Sequence, residues 1–384
     1  MVFEFATANR IIFGLGAISS LPTTLTDYGE RALLLAGFSN WQNTALPTLL
    51  ERAPISWQVV SISGEPTVAD IQNTFDQAKQ FKPEVLIGFG GGSAIDTAKA
   101  VSALLTNPGD IYDYLEVIGK GKPLKHDPLP VIAVPTTSGT GSEVTRNAVI
   151  GSPEHNVKVS LRSRKMIPAC AIVDPELTIG LPPEPTAYTG LDALTQVLEP
   201  YVSHLSNPIT DLFCREGIQR AGRSLQIAFH NGENIHARED MSFTSLCGGL
   251  ALANAKLGAV HGIAGPFGGM FKSPHGAVCG RLLPAVMETN INALRQRDPD
   301  SRALGRYVEA ARLLIGDPAA TAEDAVQWVY RIVQLMEIPG LSAYGFTPQN
   351  VPDLIEKSKK ASSMKGNPIE LLDSELAAIL IKAL

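Results

Sequence analysis

The first half of this chain alternates short apolar runs that close on Gly, Pro or hydroxyl residues with stretches of helical length, without any internal sequence repeat. The runs lie in RALLLAG (31–37), WQVVSI (57–62), PEVLIGFGGG (83–92) and LPVIAVPTTS (129–138). A strand buried on both faces loses the polar alternation of a half-exposed one. VLIGF and VIAV therefore read as inner strands of a parallel sheet covered by helices on both sides. Around 179–186 (IGLPPEPT) the pattern changes, and Pro182, Pro183 and Pro185 read as a stiff connector. Beyond them TGLDALTQVLEPYVS, SFTSLCGGLALANAKLGAVHGIAG, TAEDAVQWVYRIVQLMEI and SELAAILIKAL are all helix-compatible. The expected architecture is an α/β Rossmann-like domain over 1–182 and an all-α domain over 183–384, two domains being the natural division of 384 residues.

Composition removes several function classes. A net charge of -6, with no basic stripe, gives nucleic acid no electrostatic footprint, so small molecules are the expected partners. No stretch approaches the eighteen uninterrupted apolar residues of a membrane span, and the N-terminus lacks a basic segment followed by an apolar one. The four cysteines (Cys170, Cys214, Cys247, Cys279) form no CxxC pair and read as buried thiols of a reducing compartment, with a cytoplasmic location the expectation.

The run from Gly88 to Lys99 follows a strand and opens a helix. Gly90, Gly91, Gly92 and Ser93 put unobstructed backbone at a helix N-terminus, where N–H groups and the helix dipole favour an anionic pyrophosphate, and Asp96 lies one turn on. A glycine string of this kind also serves a ligand-free turn. A second hydroxyl-rich segment, PTTSGTGSEVTRN (135–147), likewise follows a strand. It offers Thr136, Thr137, Ser138, Thr140, Ser142 and Thr145, then Asn147, for cofactor amide or phosphate contacts; each alone could equally cap a helix or satisfy a turn.

Six ordered blocks, GFGGGSAIDTAKA, PTTSGTGSEVT, IVDPELTIGLPP, TGLDALTQVLEPYVS, VHGIAGPFGG and SPHGAVCGRLLP, resemble the signature blocks of the iron-containing alcohol dehydrogenase family, essentially end to end. The resemblance implies an N-terminal Rossmann-like domain plus a helical C-terminal domain, a fold shared with the dehydroquinate synthases. It also implies a divalent metal held by an Asp, a residue four positions later, and two histidines fourteen positions apart: here Asp192, Gln196, His261 and His275. Residues four apart share a helix face, and Pro266, Gly268, Gly269 and Pro274 read as breaking the chain so that the second histidine folds back. The departure is Gln196, where the family's iron enzymes usually carry His. Asp and two His already make the three protein ligands of a catalytic site, leaving Gln196 as a fourth ligand or a partner that holds one. Fe(II) and Zn(II) both stay open, because glycerol dehydrogenases of similar fold manage with one Asp and two His. The other histidines (His126, His155, His204, His230, His236) read as surface residues.

By the same resemblance the metal polarises the substrate oxygen while NAD(P)(H) carries the hydride, and Lys158 matches a position near the cofactor's ribose and nicotinamide. The proton-shuttling His of related enzymes falls at Gly265. The carboxylate that guards the adenosine ribose in NAD-preferring members falls at Gly37, followed by Phe38, Ser39 and Asn40, so NADP(H) is expected to be accepted too. A homodimer is the expected assembly. Alternatives are a maleylacetate reductase-like enzyme with weak or no metal dependence, using Arg146, Arg162 and Arg164 for an acidic substrate; an NAD-dependent lyase of the dehydroquinate synthase type, for which only Lys256 and Lys272 lie near the motifs; and a non-catalytic cofactor-binding protein.

Overall fold

The structure, a computed structural model, describes residues 2–38 and 40–384. Its strands in chain order are β1 (Arg10–Phe13), β2 (Arg31–Ala36), β3 (Ser56–Ser61), β4 (Val85–Gly90), β5 (Val131–Pro135), β6 (Asn147–Ser152), β7 (Val157–Arg162) and β8 (Cys170–Val173). Six of them make one sheet in the order β1-β8-β5-β4-β2-β3, every pairing parallel, while β6 and β7 pair as a separate antiparallel hairpin. Helices α1 (Leu21–Thr26), α2 (Leu46–Arg52), α3 (Val68–Phe81) and α4 (Gly92–Thr106) accompany this sheet. Side-chain parity explains the continuous apolar runs. Leu33, Leu35 and Leu86 face a core shared with Ile71, Ala98 and Val101, whereas Leu34, Val85, Ile87 and Phe89 face the opposite core with Leu25 and Leu50.

The rest of the chain forms α5 (Pro183–Val202), α6 (Pro208–His230), α7 (Ile235–Ala255), α8 (Ala259–Met270), α9 (His275–Arg297), α10 (Arg302–Ile315), α11 (Ala322–Leu335), α12 (Val351–Lys360) and α13 (Asp373–Lys382). These helices surround a third core that includes Leu191, Leu194, Val197, Ile263, Phe267 and Leu282.

The units the contacts define differ in detail from the expected 1–182 and 183–384. The α/β unit comprises Thr7–Thr137 and Gly141–Thr178; the helical unit comprises Ile179–Leu384, Ser138–Thr140 and the segment ending at Ala6. The two short additions are bonded into the helical unit. Asn254 accepts from Ala6 N at 2.7 Å and donates to Ala6 O at 3.0 Å, and the hydroxyls of Ser138 and Ser242 meet at 3.0 Å.

Two local expectations are corrected, and one helix-compatible stretch is resolved into two helices. The prolines of 182–185 are no connector: Pro182 caps α5, and Pro183 and Pro185 lie in its first turn, where a missing N–H costs nothing. The stretch 242–265 is two helices bent by 96°, broken where Lys256 adopts φ 59°. Finally, Pro266, Gly268 and Gly269 continue α8, and the chain breaks only between Phe271 and Pro274. Among the described residues no single helix is long and apolar enough to cross a membrane.

Candidate metal centre and cofactor loop

In the α/β unit the chain steps from β2 outward to β3 and then returns to the other side of β2 with β4. That reversal makes the β2/β4 boundary the topological switch point, where doubly wound sheets bind ligands at their carboxyl ends. Gly37 follows β2, Gly90 ends β4 and Gly91 follows it; Gly37 N donates to Phe89 O at 2.8 Å, and Thr136 N, just past β5, to Gly90 O at 2.9 Å. The glycines are required by space as well as by dihedral angle. Gly90 has φ 149°, and a Cβ on it would lie 2.9 Å from Gly37 Cα and 3.0 Å from Ala94 Cβ. Gly91 caps α4 without any side-chain hydrogen bond, so the first-turn N–H groups at Gly92 and Ser93 open the helix at this edge. Thr137 lies against Gly91, its Oγ1 3.4 Å from where a Cβ would stand.

Other residues anticipated for the cofactor sit differently. The Asp96 carboxylate accepts from Ser142 Oγ and, at 2.9 Å, from Val149 N, and pairs with the fully buried Lys99 at 2.9 Å. Lys99 also donates to Ser142 O at 3.0 Å and Thr145 Oγ1 at 3.2 Å, so Asp96 and Thr145 share a buried brace. Asn147 begins β6, Lys158 on β7 is paired with Glu65, and Thr140 is exposed and grouped with the helical unit. The Phe38 ring packs tilted against Phe89, centroids 5.4 Å apart, and Ser39, before Asn40, lies outside the described residues.

In the helical unit α5, α8 and α9 bring the anticipated metal residues together. Asp192, on α5, is 2% exposed; its Oδ1 lies 3.2 Å from His261 Nε2 and 3.9 Å from His275 Nε2. His261 and His275 stand with ring centroids 5.4 Å apart. His275 opens α9, and Gly276 lets that start approach α5: a Cβ there would fall 2.1 Å from Tyr188 O. Gln196, one turn after Asp192, donates its amide to Gly139 O at 2.7 Å with Asp192 Oδ2 at 3.4 Å. Both neighbours are acceptors, so the NH2 group must face them.

Two residues near this cluster carried no role in the sequence reading. Glu199 accepts from Val260 N and His261 Nδ1, each at 2.7 Å, at the start of α8. Cys279, one turn into α9, has its Sγ 3.5 Å from His275 Nε2, and one ligand atom from each of Asp192, His261, His275 and Cys279 lies within 4.8 Å of the rest. Their signals were spacings: Glu199 follows Asp192 by seven positions and Cys279 follows His275 by four, each on the same helix face. The five other histidines are all exposed.

The electrostatics draw positive charge into the pocket. Burial works against charging His261, but Cys279, Asp192 and Glu199 outweigh it and hold the imidazole well above the ordinary histidine value. Burial likewise opposes His275, which Cys279 and Asp192 nevertheless raise, and burial that would raise Asp192 is overcome by the two histidines, which lower it. The donor set fits a divalent cation. At bond lengths of about 2.0–2.1 Å, tetrahedral O and N ligands stand about 3.3 Å apart, beside the 3.2 and 3.9 Å found here.

A doubly wound sheet with a glycine loop at its switch point, and a helical unit carrying a carboxylate–imidazole cluster, suit the class of two-domain enzymes that use a nucleotide cofactor and a divalent metal. Two family models agree: one for iron-containing alcohol dehydrogenase matches residues 8–175, and one for the C-terminal part of the Fe-containing alcohol dehydrogenase family matches 186–384. Alcohol dehydrogenase 4 of Saccharomyces cerevisiae is 36% identical over 361 residues, covering 94% of this chain and 90% of that protein. The solved structure of a 1,3-propanediol oxidoreductase superposes with a TM-score of 0.91 at 30% identity, covering 100% of both chains. That of sulfoacetaldehyde reductase from Bifidobacterium kashiwanohense, in complex with NAD+, gives 0.86 at 27% identity, covering 100% of this chain and 99% of the other. The chain belongs to the iron-containing alcohol dehydrogenase family. It is an oxidoreductase that moves a hydride between a nicotinamide cofactor and an alcohol or aldehyde.

Proposed function

We propose that this enzyme interconverts a small primary alcohol and its aldehyde at a divalent cation held by Asp192, His261 and His275, and that it accepts NADP(H) as well as NAD(H). The observation that carries the reading is the cluster of one carboxylate oxygen and two imidazole nitrogens, Asp192 and His261 buried and His275 half-buried, with ligand atoms within 4.8 Å of one another. When bound, the cation supplies Lewis-acid polarisation of the substrate oxygen and the nicotinamide supplies the hydride chemistry.

The protein's own residues prepare this centre. Glu199 takes the Nδ1–H of His261 and so orients the ring with Nε2 toward Asp192, the nitrogen that a cation would take once its proton is displaced. Gln196 donates toward the outer oxygen of Asp192 and leaves Oδ1 for the cation. His275 is 31% exposed in its side chain and forms the open side through which a substrate oxygen enters. At Gly265 a Cβ would meet nothing within 4 Å, so the space a relay side chain would fill on α8 is open.

The cofactor side rests on the glycine loop at the switch point, with Gly91, Gly92, Ser93 and Thr137 as its phosphate-facing residues, and with Lys158 on the hairpin assigned to the cofactor by the family resemblance alone. At Gly37 no carboxylate repels a 2'-phosphate, and a Cβ there would meet Ala94 Cβ at 3.0 Å and Gly90 Cα at 3.3 Å. The NAD+ complex of the similar sulfoacetaldehyde reductase supports the nicotinamide reading. All four cysteines are free and buried, which supports a reducing, cytoplasmic setting; the assembly is a homodimer, as the family resemblance suggests. The test is steady-state kinetics with short aldehydes: comparable kcat/KM for NADPH and NADH is expected, and strong exclusion of NADPH would refute the cofactor part.

A further inference from the structure

Four side chains, not three, converge at the proposed metal centre. Cys279 stands four residues after His275 on α9, so the two share a helix face and point at one spot. Its Sγ is 3.5 Å from His275 Nε2, and it belongs to the group whose ligand atoms all lie within 4.8 Å of one another. A tetrahedral ion with a sulfur at about 2.3 Å and a nitrogen at about 2.0–2.1 Å sets them about 3.6 Å apart. Coordination therefore asks for almost no movement along that edge. Gln196 spends its NH2 group on Gly139 O and Asp192 Oδ2, so the side of the amide facing the carboxylate presents N–H groups and not a lone pair.

We propose that the thiolate of Cys279 is the fourth protein ligand, so that the centre is an Asp–His–His–Cys site. This rests on the metal reading above. On binding, the Cys279 S–H proton is released to solvent and the sulfur lone pair forms the bond to the cation, which leaves the redox state of both unchanged. Two consequences follow. A soft sulfur donor biases the site toward Zn(II) and Co(II) over Fe(II). Four protein ligands would fill a tetrahedral shell, so catalysis there would need a centre able to accept a further ligand, as catalytic zinc sites can.

The test uses full-length protein reloaded with Co(II) after chelation. One bound Co(II) per chain with an intense near-ultraviolet thiolate-to-cobalt charge-transfer band, lost in Cys279→Ser while visible d–d bands persist, is the expected result. Cobalt binding with d–d bands but no charge-transfer band overturns the Cys279 assignment and leaves the Asp–His–His reading standing; failure to bind cobalt overturns both. Because Cys279→Ser could misfold, X-ray absorption on the zinc-loaded wild type decides independently. One sulfur scatterer at about 2.3 Å supports the proposal, and a shell of nitrogen and oxygen alone refutes it.

Discussion

Glu199→Gln probes how the helical unit arms its metal site. The carboxylate accepts on both oxygens, Oε1 from Val260 N and Oε2 from His261 Nδ1, each at 2.7 Å, with His261 N at 3.5 Å. A glutamine has one acceptor oxygen. Whichever way its amide turns, one of two buried donors faces an NH2 group, and stranding such a donor costs about 1–3 kcal/mol. The lost charge also stood at the N-terminus of α8, worth about 0.3–1 kcal/mol more and up to about 2 when partly buried. The metal-free protein should therefore lose about 2–4 kcal/mol of stability, read from denaturant titration of the chelated form. Loss of the carboxylate behind His261 also lowers the basicity of Nε2, and such partners are worth about 10–100-fold in metal affinity. Competition with a chromophoric chelator measures that factor. Wild-type metal affinity in a folded Glu199→Gln protein would refute the reasoning.

Three further outcomes follow from the structure. Burial pushes the Glu143 carboxyl up to about 7, against the pull of its own backbone N–H and Lys99. A raised carboxyl pKa favours folding below the unfolded value and loses that advantage as pH climbs through the folded one, so about 3 kcal/mol should disappear between pH values of about 4.5 and 7; stability curves of wild type and Glu143→Gln that stay parallel across this window would contradict it. Replacing Lys99 with Met should destabilise by about 3–5 kcal/mol in thermal melts, because Asp96 then keeps a buried charge without its cation. Gly305→Ala, at an exposed position of α10 where a Cβ meets nothing within 4 Å, should raise stability by up to about 1 kcal/mol.

The sequence announced whatever depended on local pattern. β2, β4 and β5 were legible because strands buried on both faces read as unbroken apolar runs, and the glycine loop because only glycine fits where β2 and β4 end side by side. Asp192, His261 and His275 were legible through ordered motifs. β1 and β8 are harder to read, being four residues each and short of a periodic signature, while NAVIGS carries the alternation of the hairpin strand β6. The break at Lys256 was invisible because a lysine at positive φ has no composition signal. Cys279 and Glu199 sat at helical spacings from recognised ligands. What those spacings face is decided by how α5, α8 and α9 pack, and that information is not local. The prolines before α5 misled because the residue that stiffens a loop also starts a helix.

The most direct test of the central claim is aldehyde-dependent NADPH and NADH oxidation by protein stripped with a chelator and verified metal-free, then reloaded anaerobically with Zn(II) or Fe(II). The account predicts that turnover vanishes on stripping and returns at one ion per chain, and that Asp192→Asn binds no ion and stays inactive. Undiminished turnover by the verified metal-free enzyme would contradict it.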